Sequence, residues 1–367
     1  MKLRSIFSLL MLFSVMNVFA QFHTMKIPQA SPEVTETQRL GVTDITISYS
    51  SPALRGRDVW NNPNIIHQNN EPRPWRAGAN MATTINFSTD VKIEGESLKA
   101  GTYAFFVIAR ENNYELLFAH NHQQWGSYYL DQDKDISLRV TVNAESCANS
   151  EQLDYEFLNR KENELTIGLE WGEIRLPFKV EVDLNQTVVE SFRNELRGIN
   201  TYHWQAWNDA ALWCLNHDTN LEEALTWANR SIEGGLNGFA ADKNPSNVIT
   251  KLRLLKRLDQ ADTFEETFLD TQNMLVDSHD ANEINIAMLR FGKNEAALDY
   301  AGKMYKAYPE ERTFLLNHGI ANYFVGNKTK AIKDVEKVIP LAPDYLKNRL
   351  NEIISEFKSD KYALTQY

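Results

Sequence analysis

Two hydrophobic rhythms divide the chain. Over residues 34–183 the period is two. Ile45, Ile47 and Tyr49 alternate with Asp44, Thr46 and Ser48, and Leu138, Val140 and Val142 alternate with Arg139 and Thr141. Ile174, Leu176, Phe178, Val180 and Val182 carry the alternation to the end of the segment. Successive side chains of a strand point to opposite faces, so each pattern marks a strand with one buried side. Residues 103–109 (YAFFVIA) are apolar throughout and predict a central strand covered on both faces. Turn chemistry separates the runs at Glu94-Gly95, Ala100-Gly101, Glu111-Asn112-Asn113 and Trp171-Gly172. Short strands with no helical pattern between them predict an antiparallel β-sandwich.

After Leu184 the period lengthens to 3.6, and amphipathic helices follow one another with short breaks. The last two units align at a spacing of 34 residues: Gly292 with Gly326, Ala297 with Ala331, Lys303 with Lys337, Pro309 with Pro343. Ala lets paired helices approach closely, and Pro ends one unit before the next begins. This resembles the tetratricopeptide repeat. Earlier units are more degenerate, with Ala224 and Ala228 in the first and a Gly-rich insert over residues 234–246, giving about four hairpins. The aromatics Tyr202, Trp204, Trp207, Trp213 and Trp227 fit core packing or the lining of a concave groove. The predicted organisation is a leader over residues 1–20, a β-sandwich over 21–185, and an α-helical tetratricopeptide-like domain over 186–367.

Residues 51–80 break both rhythms. This stretch holds Pro, Asn, Trp60, Trp75 and the arginines 55, 57, 73 and 76, with no period. A long aperiodic segment inside a compact domain is commonly functional, and its tryptophans argue for order. It is expected to fold back over one end of the sandwich.

Composition changes the picture in three ways. The start is basic (Lys2, Arg4), residues 6–16 are almost all apolar, and Val18-Phe19-Ala20 offers small residues at −3 and −1. This reads as a secretory signal cleaved after Ala20; the apolar run is short for the alternative, a membrane anchor. No later stretch is long enough to span a bilayer. Loss of the leader takes the 38 basic residues to 36 and the net charge from −11 to −13. That balance argues against nucleic acid, which needs clustered cations, while leaving room for a local cationic pocket. Cys147 and Cys214 sit in different predicted domains, and a bridge or two free thiols both remain open.

The string PWRAGANMATTINFSTDVKIEGESLKAGTYAFF, beginning at Pro74, resembles the core of the bacterial family called domain of unknown function 2911. The opening RLGVTDITISYSSPALRGRDVW, the Trp125-Gly126 pair, DKDISLRV and LEWGEIRLPFKVEV extend the resemblance over residues 34–183. It implies an exported, periplasmic or extracellular bacterial protein with a β-rich fold, often with a helical extension. It brings no activity, cofactor or catalytic residue. The repeat resemblance implies a protein partner.

The chemistry concentrates in the irregular stretch. Arg55, Arg57, Asp58, Trp75, Arg76 and Asn80 form a candidate ligand-binding set, because guanidinium forks match planar anions and indole faces stack on rings. The plainer alternative is that the arginines pin the loop through carbonyls and Asp58. His120 and His122 would share a face if they lie on a strand, with Asp131 or Asp133 as a further metal ligand, but no HExxH or paired CxxC supports a metal and none is assigned. No cofactor motif appears: GxSxG, the P-loop and GxGxxG are all missing. Glu170 and Glu173, beside Trp171, fit either a sugar groove or a solvated strand edge. The expected function is binding: a small anionic or glycan ligand on the sandwich and a protein on the repeats. An envelope hydrolase acting on carbohydrate or ester substrates is one alternative, and a purely structural assembly factor is another. No catalytic residue is assigned.

Overall fold

The chain enters the fold through a hairpin of β1 (Glu33–Leu40) and β2 (Thr43–Ser50), paired in register from Glu33↔Ser50 to Leu40↔Thr43. The computed structural model describes residues 28–67, 73–111 and 113–367, so the expected leader lies outside the described residues. The chain divides into two compact units, one ending at Leu184 and the other spanning Asn185–Tyr367.

The first unit is two antiparallel sheets. The larger adds β3 (Thr83–Phe87), β6 (Gly101–Ala109), β7 (Tyr114–Ala119) and β8 (Ile136–Val142) in the order β1-β2-β3-β6-β7-β8. The smaller runs β5-β4-β10-β9, built from β4 (Val91–Ile93), β5 (Glu96–Leu98), β9 (Glu145–Leu158) and β10 (Glu164–Glu181). The alternating residues of both sheets meet in one core: Ile45, Ile47, Phe105 and Phe118 from the first, Tyr155, Leu169 and Phe178 from the second. Phe178 packs its ring 5.5 Å from Phe105 and 5.9 Å from Phe118. Such aromatic pairs add roughly 0.5–1.5 kcal/mol each beyond their burial. The YAFFVIA strand is β6. Its outward Ala104, Phe106 and Ile108 are also buried, because Ala82, Leu130 and Ile136 pack against them.

Trp171-Gly172 is not the turn expected from its composition. It lies inside β10, where the register against β9 shifts between Glu170 and Gly172 and again before Ile174. Gly172 takes φ +65°, which accommodates a bulge while the strand continues on both sides. The two-residue turn at Glu94-Gly95 does join β4 to β5, pairing Ile93 with Glu96.

The second unit is helical. A leading helix α1 (Leu184–Glu195) precedes four hairpins: α2–α3 (Trp204–Asn216, Leu221–Glu233), α4–α5 (Pro245–Arg257, Ala261–Gln272), α6–α7 (Ser278–Arg290, Asn294–Ala307) and α8–α9 (Arg312–Phe324, Lys328–Val338). A final helix, α10 (Asp344–Lys358), follows. The expected equivalences hold physically. Ala297 and Ala331 are fully buried, Asn285 of α6 donates to the Ala297 carbonyl at 2.9 Å, and Gly319 of α8 brings its backbone against the Ala331 carbonyl. The fold is therefore an antiparallel β-sandwich followed by tetratricopeptide-like helices. Among the described residues no helix is long and apolar enough to cross a membrane. Cys147 and Cys214 are both free thiols.

Candidate functional site

The segment after β2 does more than cover one end of the sandwich: it enters the core. Val59, Trp60, Ile66, Trp75 and Ala77 are buried with the sheet residues. Trp75 forms a two-way backbone bridge to Val107 of β6, with both N–H···O distances 2.8 Å. Its indole stacks on Trp171 at 5.8 Å, and Trp60 closes the group edge-on at 6.0 Å while donating its indole N–H to the Trp171 carbonyl at 2.7 Å. The bulge in β10 is thus where the smaller sheet meets the loop.

A cleft of about 670 Å³ opens beside this stack. Arg55, Arg57, Trp75, Arg76 and Asn80 line it, joined by Trp125 and Trp171. A second cleft, about 360 Å³, shares Trp75 and Arg76 with the first and adds Arg73, His67 and Tyr128. Asp58 is the one member of the sequence-derived set that does not line either cleft. Its carboxylate instead accepts from the Asn61 backbone and side chain at 3.2 and 2.9 Å, and these bonds hold it below the usual carboxylate range. It forms a local turn that sequence proximity to the arginines mimicked.

The guanidinium groups of Arg57 and Arg76 are held by neutral partners. Arg57 donates to the carbonyls of Leu54 and Ala53 at 2.9 and 2.6 Å, and Arg76 donates to the Asn80 carbonyl. Among the described residues none of Arg55, Arg57, Arg73 and Arg76 has a carboxylate within ion-pairing distance. At Arg55 it is the backbone N–H that is held, donating to the Glu151 carboxylate at 2.8 Å. Arg57 and Arg76 do pin the loop through carbonyls, as the plainer reading expected, though without Asp58, and carbonyls carry no charge to offset theirs. In a chain of net charge −11, that is an unusual concentration of unpaired cations.

The motif residues make this geometry. Arg76 lies 5.9 Å from the centre of the Trp125 ring. A Cβ on Gly126 would stand 2.9 Å from the Arg76 guanidinium, and Gly126 takes φ +61°, so glycine there serves both space and backbone. The Ala77 carbonyl accepts from the Thr83 hydroxyl at 3.0 Å and the Tyr155 hydroxyl at 2.8 Å. Arg55, Ala77 and Asn80 are in the left-handed region, a strained backbone of the kind that gathers at ligand sites. Trp171 is 2% exposed, and among the described residues its indole N–H has no acceptor. A buried donor left unmet costs about 1–3 kcal/mol.

Trp125 (52% exposed) and Tyr128 (77%) form the aromatic rim. Trp125 stands out in the sequence only as part of the family resemblance, and Tyr128 and Arg73 are outside the candidate set read from it. Position along the chain could not link the rim to the arginines; the isolated bridge of Met81 to Trp125 and the bond from the Ser127 hydroxyl to the Pro74 carbonyl at 2.6 Å do.

His120 and His122 fall beyond the end of β7, so the shared strand face does not arise. His120 Nε2 lies 3.9 Å from Asp135, and His122 Nδ1 lies 3.1 Å from the His120 carbonyl. Asp131 accepts from the Asp133 and Lys134 backbone instead. Among the described residues no group of three metal-ligating side chains is found. Glu170 pairs with Arg175 at 2.6 Å, and Glu173 is exposed.

The profile of the family described as protein of unknown function (DUF2911) matches residues 31–180, close to the span the motifs indicated. No curated protein matches the chain. Among solved structures, it is similar to the MamA RS-1 ArsTM double mutant, at 15% identity over 47% of this chain and 85% of that one, with a TM-score of 0.29. It is also similar to a tetratricopeptide repeat protein from Parabacteroides merdae ATCC 43184, at 14% identity over 48% of this chain and 66% of that one, TM-score 0.33. A third is YrrB, described as a TPR protein with an unusual peptide-binding site: 15% identity, 45% of this chain, 98% of that one, TM-score 0.24. At such scores the repeat character of the second unit rests on its own hairpins.

Proposed function

We propose that the chain is an exported binding protein of the cell envelope whose first unit holds an anionic sugar in the arginine–tryptophan cleft, and whose helical unit docks a protein. The observation that carries the ligand reading is the convergence of Arg55, Arg57 and Arg76, whose side chains pair with no carboxylate among the described residues, on a cleft lined by Trp75 and Trp171. Guanidinium forks suit the planar carboxylate of a sugar acid, and the exposed Trp125 face suits its ring. Binding is favoured over glycosidic cleavage because, among the described residues, neither cleft is lined by Asp or Glu, whereas cleavage of the common type needs two carboxyl groups. The basic-apolar start of the sequence and its Ala20 boundary support export to the periplasm or beyond.

A thermal-shift panel on the chain from Gln21 tests this. Glucuronate, galacturonate and their short oligomers should raise the melting temperature in a concentration-dependent way, worth about 2.7 kcal/mol at a hundredfold excess over the dissociation constant. Glucose and other neutral sugars should not. A panel in which neutral sugars and sugar acids behave alike would defeat the assignment.

A further inference from the structure

After α10 the chain reverses at Asp360, which takes a left-handed φ of +56° and is held by Lys328 at 2.8 Å. It then runs extended across the helical unit. Tyr362 and Leu364 are half-buried while Lys361, Ala363 and Thr365 are exposed, the alternation of a strand lying on a surface. The Tyr362 ring sits 4.9 Å from Phe357 of α10, 5.7 Å from Tyr323 and 5.8 Å from Phe324 of α8. Further on, the Tyr367 ring lies 4.9 Å from Phe291, with the guanidinium of Arg253 over it at 4.8 Å and that of Arg290 at 5.5 Å. The Tyr367 N–H donates to the Arg290 carbonyl at 3.0 Å, and the Gln366 amide donates to the Leu289 carbonyl at 3.4 Å.

The segment thus touches α4, α6, α8 and α10 without being part of any hairpin. Two sockets receive its aromatic side chains. The second is cationic, with Arg253 and Arg290 beside it and Lys256 over Phe291 at 5.8 Å. Among the described residues Arg290 Nε is buried with no acceptor, so the resident segment leaves this socket chemically incomplete. An acidic group beside the second aromatic would complete it.

Resting on the reading that the helical unit docks a protein, we propose that this surface is its docking groove. It fits an extended peptide of a partner, with an aromatic residue, an aliphatic residue two positions on, a second aromatic three beyond that, and an acidic residue next to the last. Residues 361–367 are its intramolecular occupant, tethered through Asp360 and exchanged when a partner binds. Tethering gives the occupant a high effective concentration, so the resident segment sets a threshold that only the better-matched peptide overcomes.

The test replaces residues 361–367 of the full chain with Gly and Ser, keeping the length. The probe is a labelled peptide Lys-Tyr-Ala-Leu-Thr-Gln-Tyr, with a second version carrying Glu in place of Gln. The replaced chain should bind both, the Glu version more tightly. The unaltered chain should bind each at least about tenfold more weakly, and Ala in place of both peptide tyrosines should cost about tenfold or more. Arg290→Ala in the replaced chain should abolish the preference for Glu. Should the replacement reduce helicity, Tyr367→Ala alone serves in its place, with the same order expected. A folded replaced chain that ignores both peptides, or that binds them no better than the unaltered chain, overturns the groove. If the unaltered chain still cross-links to an envelope protein in that case, docking by the helical unit survives without this groove; loss of both fails the docking reading itself. An unaltered chain that is dimeric, and becomes monomeric on replacement, makes a second copy the occupant and overturns the partner assignment.

Discussion

Arg76 shows why single residues matter in this cleft. It is fixed between the Trp125 ring and the Asn80 carbonyl, and it fits because position 126 has no side chain. Gly126→Ala should therefore destabilise the first unit by roughly 1–3 kcal/mol, combining a strained backbone with displacement of the guanidinium. Urea unfolding measures this, and a change within about 0.5 kcal/mol would mean that Arg76 moves aside freely. Five of the six residues singled out from the sequence line the cleft, because they come from one short aperiodic stretch whose composition is visible locally. Asp58 looked the same on paper, but an Asx turn to Asn61 takes its carboxylate elsewhere. The rim of Trp125 and Tyr128 was not legible as part of the site, since only the folded register brings it to the loop.

At the scale of elements, alternation was a sufficient guide for β2, β8 and the second half of β10, but it did not mark β1 or β9, whose sequences are mostly polar. It was also right for β6, whose unbroken apolar run is buried on both sides. It failed at Trp171-Gly172, because glycine marks a bulge as readily as a turn and only pairing with β9 tells them apart. Across β6, β7 and β8, Glu115 joins Arg110 and Arg139. The Arg110 bond holds its carboxyl below the ordinary value of 4.5, against the opposing effect of burial. A depressed carboxyl stabilises the fold above its unfolded pKa, and that contribution is lost as pH falls through the folded value. Stability should thus decline below about pH 4.5 partly through this group. Glu115→Gln should be less stable at neutral pH by about 1 kcal/mol and show a shallower acid limb; an unchanged limb in urea titrations at pH 3–5 would remove Glu115 from the account.

On the scale of the whole molecule, the switch of period from 2 to 3.6 falls where the structure divides, at Leu184 and Asn185. Each unit has its own hydrophobic core, the first built from both sheets and the second from the hairpins. Residues 28–184 and 185–367 expressed separately should accordingly give, by circular dichroism, a β-type and a helical spectrum, each with a cooperative melt. A non-cooperative melt from either piece would show that the units depend on each other for stability. The cleft arginines stand out against the acidic balance of the chain: among the described residues the guanidinium groups of Arg57 and Arg76 are held by carbonyls, and only the backbone of Arg55 meets a carboxylate, that of Glu151.

Whether the cleft holds a sugar acid is decided by calorimetric titration of the chain from Gln21 with a short galacturonate oligomer. The best comparison is Arg55→Ala, whose side chain makes no bond among the described residues, so that stability should change by no more than about 0.5 kcal/mol. Binding should be saturable, weaken with added salt and fall at least about tenfold in Arg55→Ala at equal stability. Binding that is indifferent to both salt and Arg55, or no heat at all from a folded chain, would contradict a sugar-acid site.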